Sequence, residues 1–215
     1  MIDIYMIFLF GDSHANFNFK GLTYPHRNLH TNSVTMHRVG RDRKKFIDFS
    51  KRGIKNGDIV IYQFGEVDCR AHVGKQLALC RELESIIREL GDPYIASIVE
   101  NAKSYSELKM IVCCVPPPMQ HNENTAPGKQ KSPYPIVDSD EARVLYTKTL
   151  NTYLQEKCIE NSIHFFDYYN HYCNADGLLI DELSDGGCHI AKNDKILEQI
   201  DPLVKIATAI KMRFV

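Results

Sequence analysis

The sequence predicts an α/β three-layer αβα sandwich around a mostly parallel, five-stranded sheet, and three observations carry that prediction. Short apolar runs alternate with longer stretches of helical period. The runs are continuous in β-branched and aromatic residues, the pattern of strands covered on both faces. Gly, Asp and Pro bound them, so each ends in a turn. Alternating β and α units favour parallel pairing, with helices packed on both sides of the sheet.

Five runs supply the strands. They are Ile4–Phe10, the weaker Val34–Val39, Ile59–Phe64 behind the turn Asn56-Gly57-Asp58, Met110–Val115 and Ile163–Phe166. Helical patterns fill the gaps. One is expected over Asp42–Arg52, and a second over His72–Leu90, where Leu77, Cys80, Leu83, Ile87 and Leu90 recur at i+3/i+4 spacing. A third covers Tyr94–Glu107 and a fourth Ser139–Asn161, with Ser139 or Asp138 as N-cap. The last begins near Lys192 and is interrupted at Pro202. Pro116–Val137 breaks the alternation, with six prolines and no helical period. A loop of that length in a compact domain is a specificity loop or lid, or else a plain mobile connection.

With 215 residues the chain fits a single domain, 1–215. Its 44% hydrophobic and 25% charged residues provide for a large apolar core. A net charge of −1 argues against a general nucleic-acid-binding surface, so the basic run Arg38–Lys45 reads as a solvated helix start. Ile4–Phe10 is too short to span a bilayer, and no membrane association is expected. That stretch has no basic segment before it and leads into Gly-Asp-Ser rather than a small-residue cleavage site, so no signal peptide is expected. Seven cysteines, an odd number without a CxxC pair, suit a reducing compartment, and a cytoplasmic location is expected.

Open parallel sheets bind ligands beyond the carboxyl ends of their strands. The residues there are Gly11-Asp12-Ser13-His14 after the first run, Gly40 after the second, and Gly65-Glu66-Val67-Asp68-Cys69-Arg70 after the third. Pro116-Pro117-Pro118 follows the fourth, and Ser184-Asp185-Gly186-Gly187-Cys188-His189 lies between the fifth and the last helix. A serine, an aspartate and a histidine thereby meet on one edge, as nucleophilic catalysis requires.

In these blocks the chain resembles the SGNH (GDSL) hydrolase family, over nearly its whole length and in the family's order. The resemblance implies the flavodoxin-like SGNH hydrolase fold, with Ser13 as nucleophile and Asp185 and His189 completing a catalytic triad. Gly40 is similar to the second-block glycine, whose backbone N–H binds the oxyanion, and Gly65-Glu66-Val67-Asp68 is similar to the third block. The string Gly-Glu-Val-Asp-Cys-Arg resembles a branch of SGNH-like proteins found in some bacteria and large DNA viruses. That likeness places Gly65, Glu66, Asp68 and Arg70 with Gly40 among the expected oxyanion and substrate-binding residues.

Two departures from the family pattern matter. Val67 stands where the family has an oxyanion-donating Asn, and a valine cannot donate; Arg70 and the backbone N–H groups of Ser13 and Gly40 are the candidates to replace it. Asp185 and His189 are one residue further apart than the family's Asp-x-x-His. Gly186-Gly187 could absorb that residue because glycine tolerates positive φ; Asp181 or a backbone carbonyl would be the alternative partner of the histidine.

Simpler roles exist beside these. Ser13 could cap the helix after the first strand, and Arg70 could be an ion-pair partner of Glu66 or Asp68. Asp12 is expected to order the nucleophile turn by hydrogen bonding, and His14 to stand outside the chemistry. His164, His171 and Cys173 match no standard zinc spacing, so no metal site is expected, and nothing calls for a cofactor. The expected partner is a small-molecule or glycan ester, and the expected activity is that of a serine esterase. The family resemblance implies O-acetyl groups of a carbohydrate as its substrate class. The alternatives are a sugar O-acyltransferase with the same triad and a catalytically silent binding module of the same fold.

Overall fold

The structure is a computed structural model that describes residues 5–121 and 134–209, with side chains to 205. Strands β1 (Ile7–Gly11), β2 (His26–Asn28), β3 (Ile59–Gln63), β4 (Lys109–Cys113) and β5 (His164–Phe166) form one sheet in the order β2-β1-β3-β4-β5. Every pair is parallel. The three-layer α/β class and the five-stranded sheet are as the sequence predicts. Gly11 lies opposite Gln63, so β1 and β3 finish side by side, and the Asp12 N–H donates to the Gln63 carbonyl at 3.1 Å.

Strand periodicity divides the core into two. Phe8, Phe10, Val60, Tyr62 and Val112 face one side, and Ile7, Leu9, Ile59, Ile61, Ile111 and Cys113 the other. Helices α2 (Met36–Asp42), α5 (Leu83–Ala102) and α6 (Asp140–Glu160) cover the first side, through residues such as Met36, Leu90, Tyr94, Leu150 and Leu154. Helices α7 (Tyr169–Tyr172) and α8 (Asp194–Ala209) cover the second, through Tyr172, Ile196, Ile200 and Val204. Three short helices, α1 (Ser13–Asn18), α3 (Glu66–Ala71) and α4 (Val73–Leu77), lie beyond the strand ends. Among the described residues no helix is long and apolar enough to cross a membrane.

Several elements differ from the sequence expectation. Val34–Val39 is not the second strand: Thr35 caps α2, its hydroxyl accepting from Arg38 N at 3.1 Å, and Met36 and Val39 bury one face of that helix. The real β2, His26–Asn28, is an exposed edge strand with no apolar residue, so no hydrophobic signal marks it. The helix expected over Asp42–Arg52 is two 3₁₀ turns, Arg43–Lys45 and Phe49–Lys51. His72–Leu90 breaks between α4 and α5, where Cys80 takes a left-handed φ of 58°.

Helix α5 then runs through Pro93 without interruption, joining two expected helices. An interior proline costs ~3 kcal/mol, and the buried stripe Ile86, Ile87, Leu90, Tyr94, Ile95 and Ile98 on the sheet offsets it. Helix α8 likewise continues through Pro202. Helix α6 starts as predicted, with the Ser139 hydroxyl accepting from Ala142 N at 3.2 Å. Residues 122–133 of the expected lid or specificity loop lie outside the described residues.

Candidate active site

The end of β1 turns directly into α1. Asp12 is the N-cap, and its carboxylate accepts from the backbone N–H of His14 at 2.9 Å. That cap places Ser13 at the first helical position, where its own N–H has no intrahelical acceptor. Ser13 is thus the first residue of α1 and not its cap. The turn must be tight, because a Cβ on Gly11 would lie 2.4 Å from Ala15 Cβ and 2.7 Å from the Gln63 carbonyl oxygen.

Across from Ser13 lies the loop that precedes α8, closed by a bridge between Ser184 and Ile190. Within it Asp185 Oδ1 accepts from the backbone N–H groups of Gly187 and His189, at 2.9 and 3.2 Å. Its Oδ2 accepts from His189 Nδ1 at 2.8 Å. Gly186 takes a φ of 81°, so the glycine pair does absorb the additional residue between Asp185 and His189. Ser13 Oγ donates to His189 Nε2 at 2.8 Å. Ser13, His189 and Asp185 are therefore brought together in the order hydroxyl, imidazole, carboxylate. This arrangement can take a proton from the hydroxyl and stabilise the imidazolium that results.

Two features around this line escape sequence reasoning. Phe17 lies four residues after Ser13 on α1, and its ring stacks on that of His189 with centroids 4.1 Å apart and planes within 8°. The helix that presents the hydroxyl thus also fixes the imidazole plane; the i,i+4 spacing is the signal that could have revealed it. His14, 1% exposed, is held at Nδ1 by Asp12 at 2.9 Å and at Nε2 by the Cys188 carbonyl at 3.0 Å. Burial opposes a charge on His14, but the Asp12 carboxylate beside it wins and holds the group well above the ordinary histidine value. As an imidazolium it donates from both nitrogens and ties the end of β1 to the 184–190 loop.

Beneath the site a fully buried polar cluster joins α1 to the ends of β3, β4 and β5. Asn18 donates to Gln63 Oε1 at 3.1 Å and to the Tyr168 hydroxyl at 2.7 Å, while Gln63 donates to the Cys114 carbonyl at 3.1 Å.

The residues expected at the oxyanion and substrate positions divide. Gly40 lies within α2 rather than at a strand end, which corrects its expected place. A Cβ there would lie 2.8 Å from both Pro93 Cβ and Tyr94 N, so the glycine lets α2 touch α5. Gly65 caps α3 with a φ of 115°. Asp68 is fully buried, and its carboxylate accepts from Met36 N at 2.7 Å and His37 N at 3.2 Å, joining α3 to the start of α2. Burial pushes its carboxyl up to about 7 against the pull of those two N–H groups.

Buried Glu66 and part-buried Arg70 form an ion pair at 2.7 Å, and Arg70 Nη1 also donates to the Tyr134 carbonyl at 2.6 Å. Arg70 is thus an ion-pair partner of Glu66, one of the two roles expected of it. Glu66 Oε2 is buried and has no hydrogen-bond partner among the described residues, and its charge acts on His14 and His189. Val67 points into the core, as an apolar side chain should.

Cys188 Sγ lies 3.9 Å from His189 Nε2. Burial and the Glu66 carboxylate push the thiol up, and hydrogen bonding to His14 and His189 more than offsets them. The buried Cys69, Cys113, Cys114 and Cys158 thiols are all raised by burial instead. Among the described residues one group has the composition to hold a metal ion: His14, Cys188 and His189, each offering one ligand atom within 4.8 Å of the others.

No protein-family model and no curated protein matches the sequence. Solved structures do match in fold. A candidate acylhydrolase of Bacteroides fragilis superposes with a TM-score of 0.63 at 17% identity, over 97% of this chain and 90% of that one. A GDSL-like lipase of Bacteroides thetaiotaomicron gives 0.57 at 16%, over 96% and 91%. The fold is that of the GDSL hydrolases. A carbohydrate acetylesterase of Sinorhizobium meliloti gives 0.56 at 14%, over 93% of this chain and 99% of its own.

Proposed function

We propose that the chain is a serine esterase of the SGNH (GDSL) type, acting through a covalent acyl-enzyme. The observation that carries this reading is the continuous line from Ser13 Oγ through His189 to Asp185, with both hydrogen bonds at 2.8 Å. Ser13 Oγ attacks the ester carbonyl, and His189 Nε2 takes its proton. Asp185 holds the proton on Nδ1 and so keeps the Nε2 lone pair aimed at Ser13. His189 then protonates the leaving alcohol, and a water activated by the same imidazole releases the acyl group. The Ser13 N–H contributes to the oxyanion site, Gly40 being inside a helix.

The substrate class we propose is an O-acetyl group on a carbohydrate. Two things support it: the family resemblance of the sequence blocks, and the fold shared with a carbohydrate acetylesterase. Fold likeness alone does not fix a substrate, so the test is direct. Wild type should react with a fluorophosphonate probe and release acetate from O-acetylated oligosaccharides, and Ser13→Ala should do neither while keeping its circular dichroism. Equal and negligible labelling of the two folded proteins would overturn the esterase reading. Labelling without acetate release would overturn the substrate class. Acetyl transfer to a glycan acceptor in preference to water would instead favour the transferase.

A further inference from the structure

We propose that His14, Cys188 and His189 form a zinc site that overlaps the Ser13–His189 pair, so that a bound ion and a working triad exclude each other. The inhibitory consequence rests on the esterase reading; the binding does not. Thiolate and imidazole are the ligands that favour zinc, and three of them leave its fourth, tetrahedral position open.

Three observations converge on the site. First, the ligand atoms lie within 4.8 Å of one another, against about 3.5 Å expected between ligands around tetrahedral zinc with bonds of 2.0–2.3 Å, so closure needs shifts of about 1 Å. Second, both histidines carry a carboxylate on Nδ1, Asp12 for His14 and Asp185 for His189. Such carboxylate–histidine pairs are the outer shell that zinc-ligating imidazoles have, since they fix the tautomer that presents Nε2. Third, Glu66, 4% exposed, has an Oε2 with no hydrogen-bond partner among the described residues, and its charge is felt at His14, Cys188 and His189. Its Oε1 is ion-paired with Arg70, so what remains beside the ligands is one buried carboxylate oxygen without a hydrogen bond.

The protons balance. Cys188 loses its thiol proton to solvent. His14 loses the proton on Nε2, releasing the Cys188 carbonyl, and keeps the one shared with Asp12. His189 loses none: its Nε2 lone pair passes from the Ser13 hydroxyl to the metal. Without that lone pair Ser13 has no base.

Cobalt(II) titration of the full-length protein reads the site without any substrate. The expected result is one cobalt per chain, with tetrahedral visible bands and a thiolate-to-cobalt charge-transfer band, both displaced by zinc. Cys188→Ser should lose the charge-transfer band and His14→Ala should weaken binding, with circular dichroism confirming the fold of each. Because Cys188→Ser alters one atom, it decides the case even if His14→Ala does not fold. Zinc should also lower fluorophosphonate labelling of Ser13 by about tenfold or more, and EDTA should restore it. The absence of a one-to-one cobalt site, or a charge-transfer band unchanged in Cys188→Ser, overturns the proposal. So does undiminished labelling with zinc bound. A cobalt site in a protein that labels with no probe would leave the zinc site standing and defeat the esterase reading.

Discussion

His14 Nε2 donates to the carbonyl oxygen of Cys188 at 3.0 Å, so the residue after Ser13 holds the residue before His189. The two are 174 positions apart in sequence, and their bond closes the site across its full width. His14 touches no reacting atom and is a positioning residue. His14→Ala should lower kcat by about 10²-fold, the scale of a 1 Å misplacement, with little change in KM. His14→Gln, whose amide can still donate to Cys188, should recover part of the loss. A stability defect alone would move neither the kcat-to-KM split nor its recovery.

Asp185 differs from His14 in bonding to the His189 imidazole itself. Burial would raise its carboxyl, but the hydrogen bond and charge of His189 hold it below the ordinary aspartate value. Asp185→Asn keeps the shape and favours the wrong imidazole tautomer, so kcat should fall about 10⁴-fold. A loss below tenfold in steady-state ester hydrolysis would mean that His189 takes its orientation from another group.

The acid limb of kcat/KM reports the protonation of the base. Burial lowers the proton affinity of His189, but hydrogen bonding and charge from Cys188, with Asp185, outweigh it and raise the group above the ordinary 6.5. A raised value keeps the inactive imidazolium to higher pH. Activity measured with EDTA present should therefore rise with pH through a midpoint above 6.5, and a midpoint below 6 would contradict the assignment of the base.

Asp68 makes a prediction about stability instead. Its folded value, about 7, lies above the 3.8 of an unperturbed aspartate. For a carboxyl raised on folding, the native state binds the extra proton, so the contribution is full below about pH 4 and lost as pH rises to about 7. The loss amounts to at most about 4 kcal/mol. Urea unfolding from pH 4.5 to 7.5 should show wild type losing stability relative to Asp68→Asn as pH rises; parallel curves would show that Asp68 does not titrate in this window.

How far the sequence revealed this molecule depends on how local each signal is. The central strands were legible because Ile59–Gln63 and its neighbours are apolar on both faces, which only a covered sheet explains. Ser13, Asp185 and His189 were legible because each follows a strand or sits in a turn whose chemistry is written in adjacent residues. The edge strand His26–Asn28 was not, since an exposed strand needs no hydrophobic pattern. Helix α5 was misread at Pro93 because the stripe that outweighs the proline acts through tertiary packing. Gly40 was misplaced for a related reason: a glycine that lets two helices touch looks, in sequence, like one that ends a strand. The links from Phe17 to His189 and from His14 to Cys188 join opposite ends of the chain; only the place of Phe17 one turn after Ser13 on α1 is written locally.

Two glycines separate backbone strain from contact. Gly65 and Gly53 both have positive φ, 115° and 75°, but a Cβ on Gly53 would meet nothing within 4 Å. On Gly65 it would lie 2.7 Å from Val115 Cγ2 and 3.0 Å from Met36 Cε, between the end of β4 and the start of α2. Gly53→Ala should thus cost only the strain of its conformation, about 1 kcal/mol. Gly65→Ala adds overpacking of about 1–3 kcal/mol to a more strained backbone. At roughly 2–4 °C per kcal/mol for a domain of this size, Gly65→Ala should melt about 5–15 °C below wild type and Gly53→Ala only a few degrees below. Gly65 also starts the helix that carries Glu66 and Asp68, so displacing it should reduce esterase activity of the folded fraction, which Gly53→Ala should leave intact. Equal melting shifts in the two variants would show that Val115 and Met36 yield freely to the added methyl group.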